Sequence, residues 1–278
     1  MDNPGGSLTA QGAAGLRAVH QLLDGHPKLL YDPVSVQLLD PHIIEQILTE
    51  RGFYREPGPM GLRSHIVLRS RYAEDRLAQA YARGIRQYLL LGAGLDTFAW
   101  RQPPGMEELH IFEADHPATQ KQKMQRLSQA GIETPGNVRF VPIDFETESL
   151  EAALRRSDLD LTLPVFISWL GVTVYLTMEA IDAVFRFVVG LPPTSEMVFT
   201  FAQKRPGDAM RPTAIRAAGA GEPWKTYIRP EELGWKLAKM GFSSLYVLPP
   251  EEARELYYTG REDGLPPPQG AGIASVIV

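Results

Sequence analysis

Cysteine is absent from all 278 residues. No disulfide framework, thiolate-ligated zinc or cysteine nucleophile is therefore available. Long apolar runs are missing as well, none reaching the ~18 residues of a membrane span. The opening residues, MDNPGGSLTAQG, lack the basic stretch and apolar core of a secretory signal. Positive charge is also scarce. A formal net charge of -5 provides no electrostatic footprint for nucleic acid or an anionic membrane, and neither is expected as a partner. The six histidines show no spacing such as H-E-x-x-H, so no metal is expected. Cytoplasm is the default location, and the oligomeric state leaves no mark in the sequence.

What is present describes an ordinary globular chain, with 44% hydrophobic and 22% charged residues. Short apolar runs recur with helical patterns between them: QYLLLG, ELHIFEAD, NVRFVPID, LPVFISWL, EMVFTFA, SSLYVLP and GIASVIV. Such alternation predicts an α/β fold around a mostly parallel sheet with helices on both faces. In TMEAIDAVFRFVVGLPP, Ile181, Val184, Phe185 and Val188 share one helix face. Thr177 suits the N-cap, and Gly190 with Pro192 stops the helix. In RPEELGWKLAKMGF, Pro230 suits the first helical position, with Glu231 and Glu232 beside it at the positive helix start. Lys236 and Lys239 come late, and Gly241 ends it. A single domain over 1–278 is expected: a helical cap over 1–84, a cofactor-binding core over 85–202, and an insertion with closing strands over 203–278. Residues 13 to 83 read as helical, and 203–228 and 261–272 as excursions or binding loops.

The stretch RQYLLLGAGLDTFAWRQPP delivers an apolar strand to Gly92, Ala93 and Gly94. Ligands of open parallel sheets sit beyond the carboxyl ends of the strands, and glycine lets a ligand approach the backbone. A dinucleotide site requires a third glycine and a long helix whose N-terminus holds the pyrophosphate. Here Thr97 occupies the third position, and Pro103-Pro104 limits any helix to about two turns. The second run ends in Glu113 and Asp115, about 20 residues on, the spacing of a ribose-binding acid. The third ends in Asp144-Phe145, where an acid can accept from an adenine amino group beside an apolar neighbour. Together these strand ends favour an adenosine ligand without a pyrophosphate, S-adenosylmethionine, over NAD.

LLLGAGLDTFAWR, FEADHP and VPIDFE, in that order, resemble the leucine carboxyl methyltransferase family, and most closely its bacterial branch of S-adenosylmethionine-dependent methyltransferases. The resemblance continues in YDPVSVQLL, RSRYAEDRL, FISWLGVTVYLT and GEPWKTYIRPEEL. It implies a class I methyltransferase-like seven-stranded sheet with an N-terminal helical cap. It also implies that Arg69 grips the methionine carboxylate of S-adenosylmethionine, as its planar fork allows. Gly92, with Ala93 and Gly94, would contact the cofactor. Asp115, rather than Glu113, would take the ribose, while Asp144 and Phe145 would flank adenine. Arg71 would point elsewhere and pair with an acid, and Asp96 and Arg101 would brace the loop. One departure stands out. The eukaryotic members carry a glutamate after the fourth strand in an Ala-Glu-x-x-x-x-Tyr pattern. This chain reads Ser168-Trp169-Leu170-Gly171-Val172-Thr173-Val174-Tyr175, one residue longer and without the acid.

At the reacting end, Trp169, Tyr175, Trp224 and Arg261 are the candidates for the substrate pocket. Aromatic faces stabilise cations such as a sulfonium, and an arginine suits an acidic acceptor. Core packing is the competing role of Trp169, lid packing that of Trp224, and a surface salt bridge that of Arg261. No catalytic base is assignable; His65, His110 and His116 read as surface or structural residues. The expected activity is methyl transfer from S-adenosylmethionine to an oxygen, a carboxylate included, of a small-molecule acceptor. An NAD(P)-dependent oxidoreductase and a non-catalytic S-adenosylmethionine-binding protein are the competing readings.

Overall fold

The computed structural model describes residues 7–144, 147–204, 212–268 and 271–278. Seven strands form one sheet: β1 (Gln87–Leu91), β2 (His110–Asp115), β3 (Val138–Pro142), β4 (Val165–Trp169), β5 (Glu196–Ala202), β6 (Ser244–Val247) and β7 (Ala271–Ile277). Their order is β3-β2-β1-β4-β5-β7-β6. All pairings are parallel except those of β7, which runs antiparallel to β5 and β6. The fold is α/β of the class I methyltransferase type. Every apolar run read from the sequence is a strand. Their near-continuous hydrophobicity follows from helices covering both faces, which buries every residue of β1, β4 and β5.

The strand order reverses between β1 and β4, the switch point at which open α/β sheets place their ligand crevice. Leu89 and Leu91 pack into one core layer with Phe112, Ile167, Trp169 and Phe185. Tyr88 and Leu90 point to the other layer, with Ile111, Phe166 and Val198.

The cap is not one continuous helical block. It consists of α1 (Leu8–Leu23), α2 (Pro33–Gln37), α3 (Pro41–Thr49) and α4 (Pro57–Ala82). Proline occupies a first-turn position in α2, α3 and α4, where its missing N–H costs nothing and its ring blocks continuation of the preceding segment. The remaining helices are α5 (Pro117–Gln129), α6 (Leu150–Leu154), α7 (Met178–Val189), α8 (Pro212–Gly219), α9 (Pro230–Met240) and α10 (Pro250–Tyr257). Thr177 caps α7 by accepting from Ala180 N–H, and Ile181, Val184, Phe185 and Val188 form its buried face. Gly241 ends α9 in the left-handed region at φ 107°. Within 203–228 lies α8, and 261–268 packs back on the cap, Asp263 accepting from Gly25 N–H at 2.9 Å. Among the described residues no helix is long and apolar enough to cross a membrane.

Candidate functional site

A cleft of about 1210 Å³ opens at the carboxyl ends of β1, β2 and β4 and runs under α1, α4 and the segment after α8. Its floor is the turn after β1. Gly92 and Gly94 adopt φ of 67° and 54°, conformations that L side chains rarely tolerate. Space demands glycine at the first of them too: a Cβ on Gly92 would fall 2.4 Å from Val172 Cγ2. Asp115, at the end of β2, clamps the turn, its Oδ2 accepting from Gly94 N–H at 2.5 Å and its Oδ1 from His116 N–H at 2.6 Å. Burial raises its carboxyl above the ordinary value, against those two hydrogen bonds.

Beyond the glycines the chain makes only the short 3-10 turn Phe98–Trp100. No long helix follows before β2 to hold a pyrophosphate at its N-terminus. Asp96 caps that turn by accepting from Phe98 N–H at 2.8 Å. A buried network ties it to the cap. Thr97 Oγ1 donates to Asp32 at 2.7 Å and accepts from Arg101 Nε at 3.0 Å. Arg101 forks onto Glu74 at 2.8 and 2.5 Å, and Arg17 donates to Asp32 at 2.9 Å and to the Leu95 carbonyl at 2.5 Å. Burial alone would raise the Asp32 carboxyl, but Arg17 and Arg101 bring it below its ordinary value. Asp96 and Arg101 thus sit where a brace would. Arg17, Asp32 and Glu74 are members that no local motif announced.

Arg69, on α4, reaches into the cleft half-buried and has neither hydrogen bond nor ion pair among the described residues. Burial lowers its pKa to about 10, opposed by Tyr175 and Asp96, so it remains a cation at neutral pH. Arg71 faces elsewhere and pairs with Asp75 at 2.9 Å. Asp144, Tyr175 and Trp224 line the cleft; Phe145 lies outside the described residues.

Residues 10–189 match the profile of the leucine carboxyl methyltransferase family. The chain belongs to that family. Its cofactor is S-adenosylmethionine, and the cleft fits it. The Arg69 guanidinium has no ion pair among the described residues, two glycines expose backbone, and acids terminate β2 and the segment after β3. The chain is 34% identical over 205 residues, 71% of its length and 67% of the relative's, to a Bacillus subtilis (strain 168) protein named "Putative S-adenosyl-L-methionine-dependent methyltransferase YktD". It is 31% identical over 198 residues, 67% of its length and 63% of the relative's, to a Mycolicibacterium vanbaalenii protein with that name but no final word. In fold it resembles the crystal structure of a "putative methyltransferase" from Thermobifida fusca YX, with a TM-score of 0.60, 19% identity and coverage of 99% and 96% of the two chains.

Two substrate-pocket candidates fall outside this family member's cleft. Trp169 is fully buried in the core, its ring edge-on to Phe185 at 6.0 Å. Strand parity decides this: the adjacent Ser168 takes the cleft side of β4, receiving the Tyr88 hydroxyl at 2.9 Å. Arg261 pairs with Asp263 and donates to the Pro27 carbonyl at 2.8 Å, holding a loop against the cap. Its charge is spent there.

Gly171 is a cleft residue that sequence reasoning passed over. It sits at φ 77°, and a Cβ would fall 2.5 Å from Arg69 Nη1. Gly171→Ala is expected to push the guanidinium aside and weaken S-adenosylhomocysteine binding about tenfold in calorimetry. The left-handed backbone should cost about 1 kcal/mol of stability besides. Wild-type affinity in that variant would mean Arg69 does not need its observed position.

Proposed function

We propose that this protein transfers a methyl group from S-adenosylmethionine to an oxygen of a small-molecule acceptor, with a carboxylate the favoured class. The observation that carries the reading is one cleft that gathers Arg69, the glycine turn, Asp115 and Asp144 together with an apolar and aromatic lining of Leu62, Ile66, Phe201, Val174, Tyr175 and Trp224. Drug-sized ligands occupy cavities of about 300–1,000 Å³, so a volume of about 1210 Å³ accommodates a cofactor with a small acceptor beside it. The family's name supports a carboxyl acceptor. S-adenosylmethionine supplies an electrophilic methyl carbon, whose bond to sulfur breaks as the acceptor oxygen bonds to it, the electron pair passing to sulfur.

The chain's part is positioning. Arg69 orients the cofactor by its carboxylate, Asp115 keeps the turn in shape, and the aromatic wall excludes water. A carboxylate nucleophile is ionised at neutral pH, so such positioning supplies most of the acceleration, with effective molarities of ~10⁵ M or more.

Calorimetric titration of S-adenosylmethionine, S-adenosylhomocysteine and NADH tests the reading. The first two are expected to bind and NADH is not; NADH binding alone would replace this function with an oxidoreductase. Transfer of labelled methyl to any member of a panel of small carboxylic acids and phenols would dispose of a purely cofactor-binding role.

A further inference from the structure

One helical turn before Arg69, the cleft wall carries a side chain with no structural partner. His65 and Arg69 stand at i and i+4 on α4 and share a face; both line the cleft. Nδ1 of His65 is sealed from solvent and has no hydrogen-bond partner among the described residues. Nε2 is not sealed and bonds to none of them, so it opens onto the cleft.

A neutral imidazole carries one proton. On Nδ1 that proton would be an orphaned buried donor, rarer and costlier than a buried lone pair left unpaired. On Nε2 it faces whatever enters. Protonating both nitrogens is opposed by burial and by the Arg69 guanidinium, which lower the imidazole pKa to about 3. The other titratable groups that line the cleft are Arg17, Tyr54, Asp96, Asp115, His116, Asp144, Tyr175, Arg216, Glu222 and Lys225. Among the described charges, Arg69 is the one that acts on His65.

We propose that His65 is a tautomer-locked hydrogen-bond donor, presenting Nε2–H to an anionic oxygen of the methyl acceptor. This rests on the methyltransferase reading above and deepens it. To act as a base, Nε2 would have to start as the bare nitrogen of the buried Nδ1–H tautomer and end in a doubly protonated ring. The site opposes both. The acceptor that suits His65 therefore arrives with its oxygen already ionised, and no proton leaves it during transfer. A phenol or alcohol would find no base in this ring. With one carboxylate oxygen held by Nε2–H, the other is free to attack.

The test is nitrogen-15 NMR of histidine-labelled protein, the His65 signal assigned with His65→Gln. At neutral pH the ring should show a protonated Nε2 and a bare Nδ1, and it should stay neutral far below the ordinary value of 6.5. Saturation with S-adenosylhomocysteine should raise the His65 pKa by about one unit, because the cofactor carboxylate offsets the Arg69 charge. Arg69→Met should raise it without any ligand. Acetate titrated into the S-adenosylhomocysteine complex should move the Nε2–H signal saturably, and phenol should not. A protonated Nδ1, ordinary titration near 6.5, a response to phenol instead, or silence toward both probes would overturn the proposal. Calorimetry on the same samples separates the two levels. Failure of S-adenosylhomocysteine to bind removes the methyltransferase reading; binding with the wrong ring chemistry removes only the role of His65.

Discussion

Arg69→Met should weaken binding of S-adenosylmethionine and S-adenosylhomocysteine about 100-fold in calorimetric titration. The guanidinium is a cation with no partner among the described residues, so its pairing energy is available to a ligand rather than to the fold. Charge-assisted hydrogen bonds contribute about 1.5–3 kcal/mol, and about 2.7 kcal/mol is a factor of ~100 in affinity. Methylthioadenosine, which lacks the amino-acid end, should bind wild type and variant alike. Arg71→Ala should leave both ligands within about threefold, since its charge is committed to Asp75 outside the cleft. Unaltered affinity in Arg69→Met would mean the cofactor's carboxylate lies elsewhere. Equal losses for methylthioadenosine would point to collapse of the cleft rather than a lost ion pair.

Lys123→Met should destabilise the fold by about 3–5 kcal/mol in chemical denaturation, the cost of breaking a buried ion pair from one side. Lys123 and Glu113 are each only 1% exposed and lie 2.5 Å apart between α5 and β2. The ammonium also sits 4.7 Å from the Trp100 ring centroid. Burial pushes the Glu113 carboxyl up to about 7 even against the pull of Lys123, and removing the lysine leaves burial unopposed. The sign follows from linkage. A carboxyl whose folded value is raised binds its proton more tightly in the native state, so stability falls as pH rises above the unfolded value near 4.5. The loss in Lys123→Met should therefore be smallest in acid and grow toward neutral pH. Adding Glu113→Leu should recover most of it, because an apolar pair leaves no charge in the core. A loss under about 1 kcal/mol at neutral pH would show that water reaches Glu113.

The Lys123 variant does not follow from local sequence alone. Glu113 and Asp115 are two residues apart on β2, so they lie on the same side of the strand, yet one is a core ion-pair member and the other a clamp on the glycine turn. Only the position of Lys123 on α5 above β2, and of Gly94 across the turn, separates their roles. Trp169 and Arg261 had the right chemistry for an acceptor pocket. Strand parity turned the tryptophan into the core, and Asp263 with the Pro27 carbonyl occupied the arginine. His65 and Gly171 carried no legible signal, because their significance is a neighbour: Arg69 stands one helical turn from the first and against the second.

The sequence by itself determined the seven strands, the order in which they alternate with helices, and the cofactor class. Those depend on local matters: continuous apolar runs that must be buried on both faces, capping residues such as Thr177 and Gly241, and a glycine turn with Thr97 where a dinucleotide site requires glycine. The tertiary structure alone decided which candidate side chains meet in the cleft. Burial, pairing and strand parity are properties of neighbours distant in the chain, as when Glu222 accepts from the hydroxyls of Ser7 and Thr9 across the cleft mouth. A charge is available to a ligand only where no such neighbour has claimed it, and among the described residues Arg69 is such a charge.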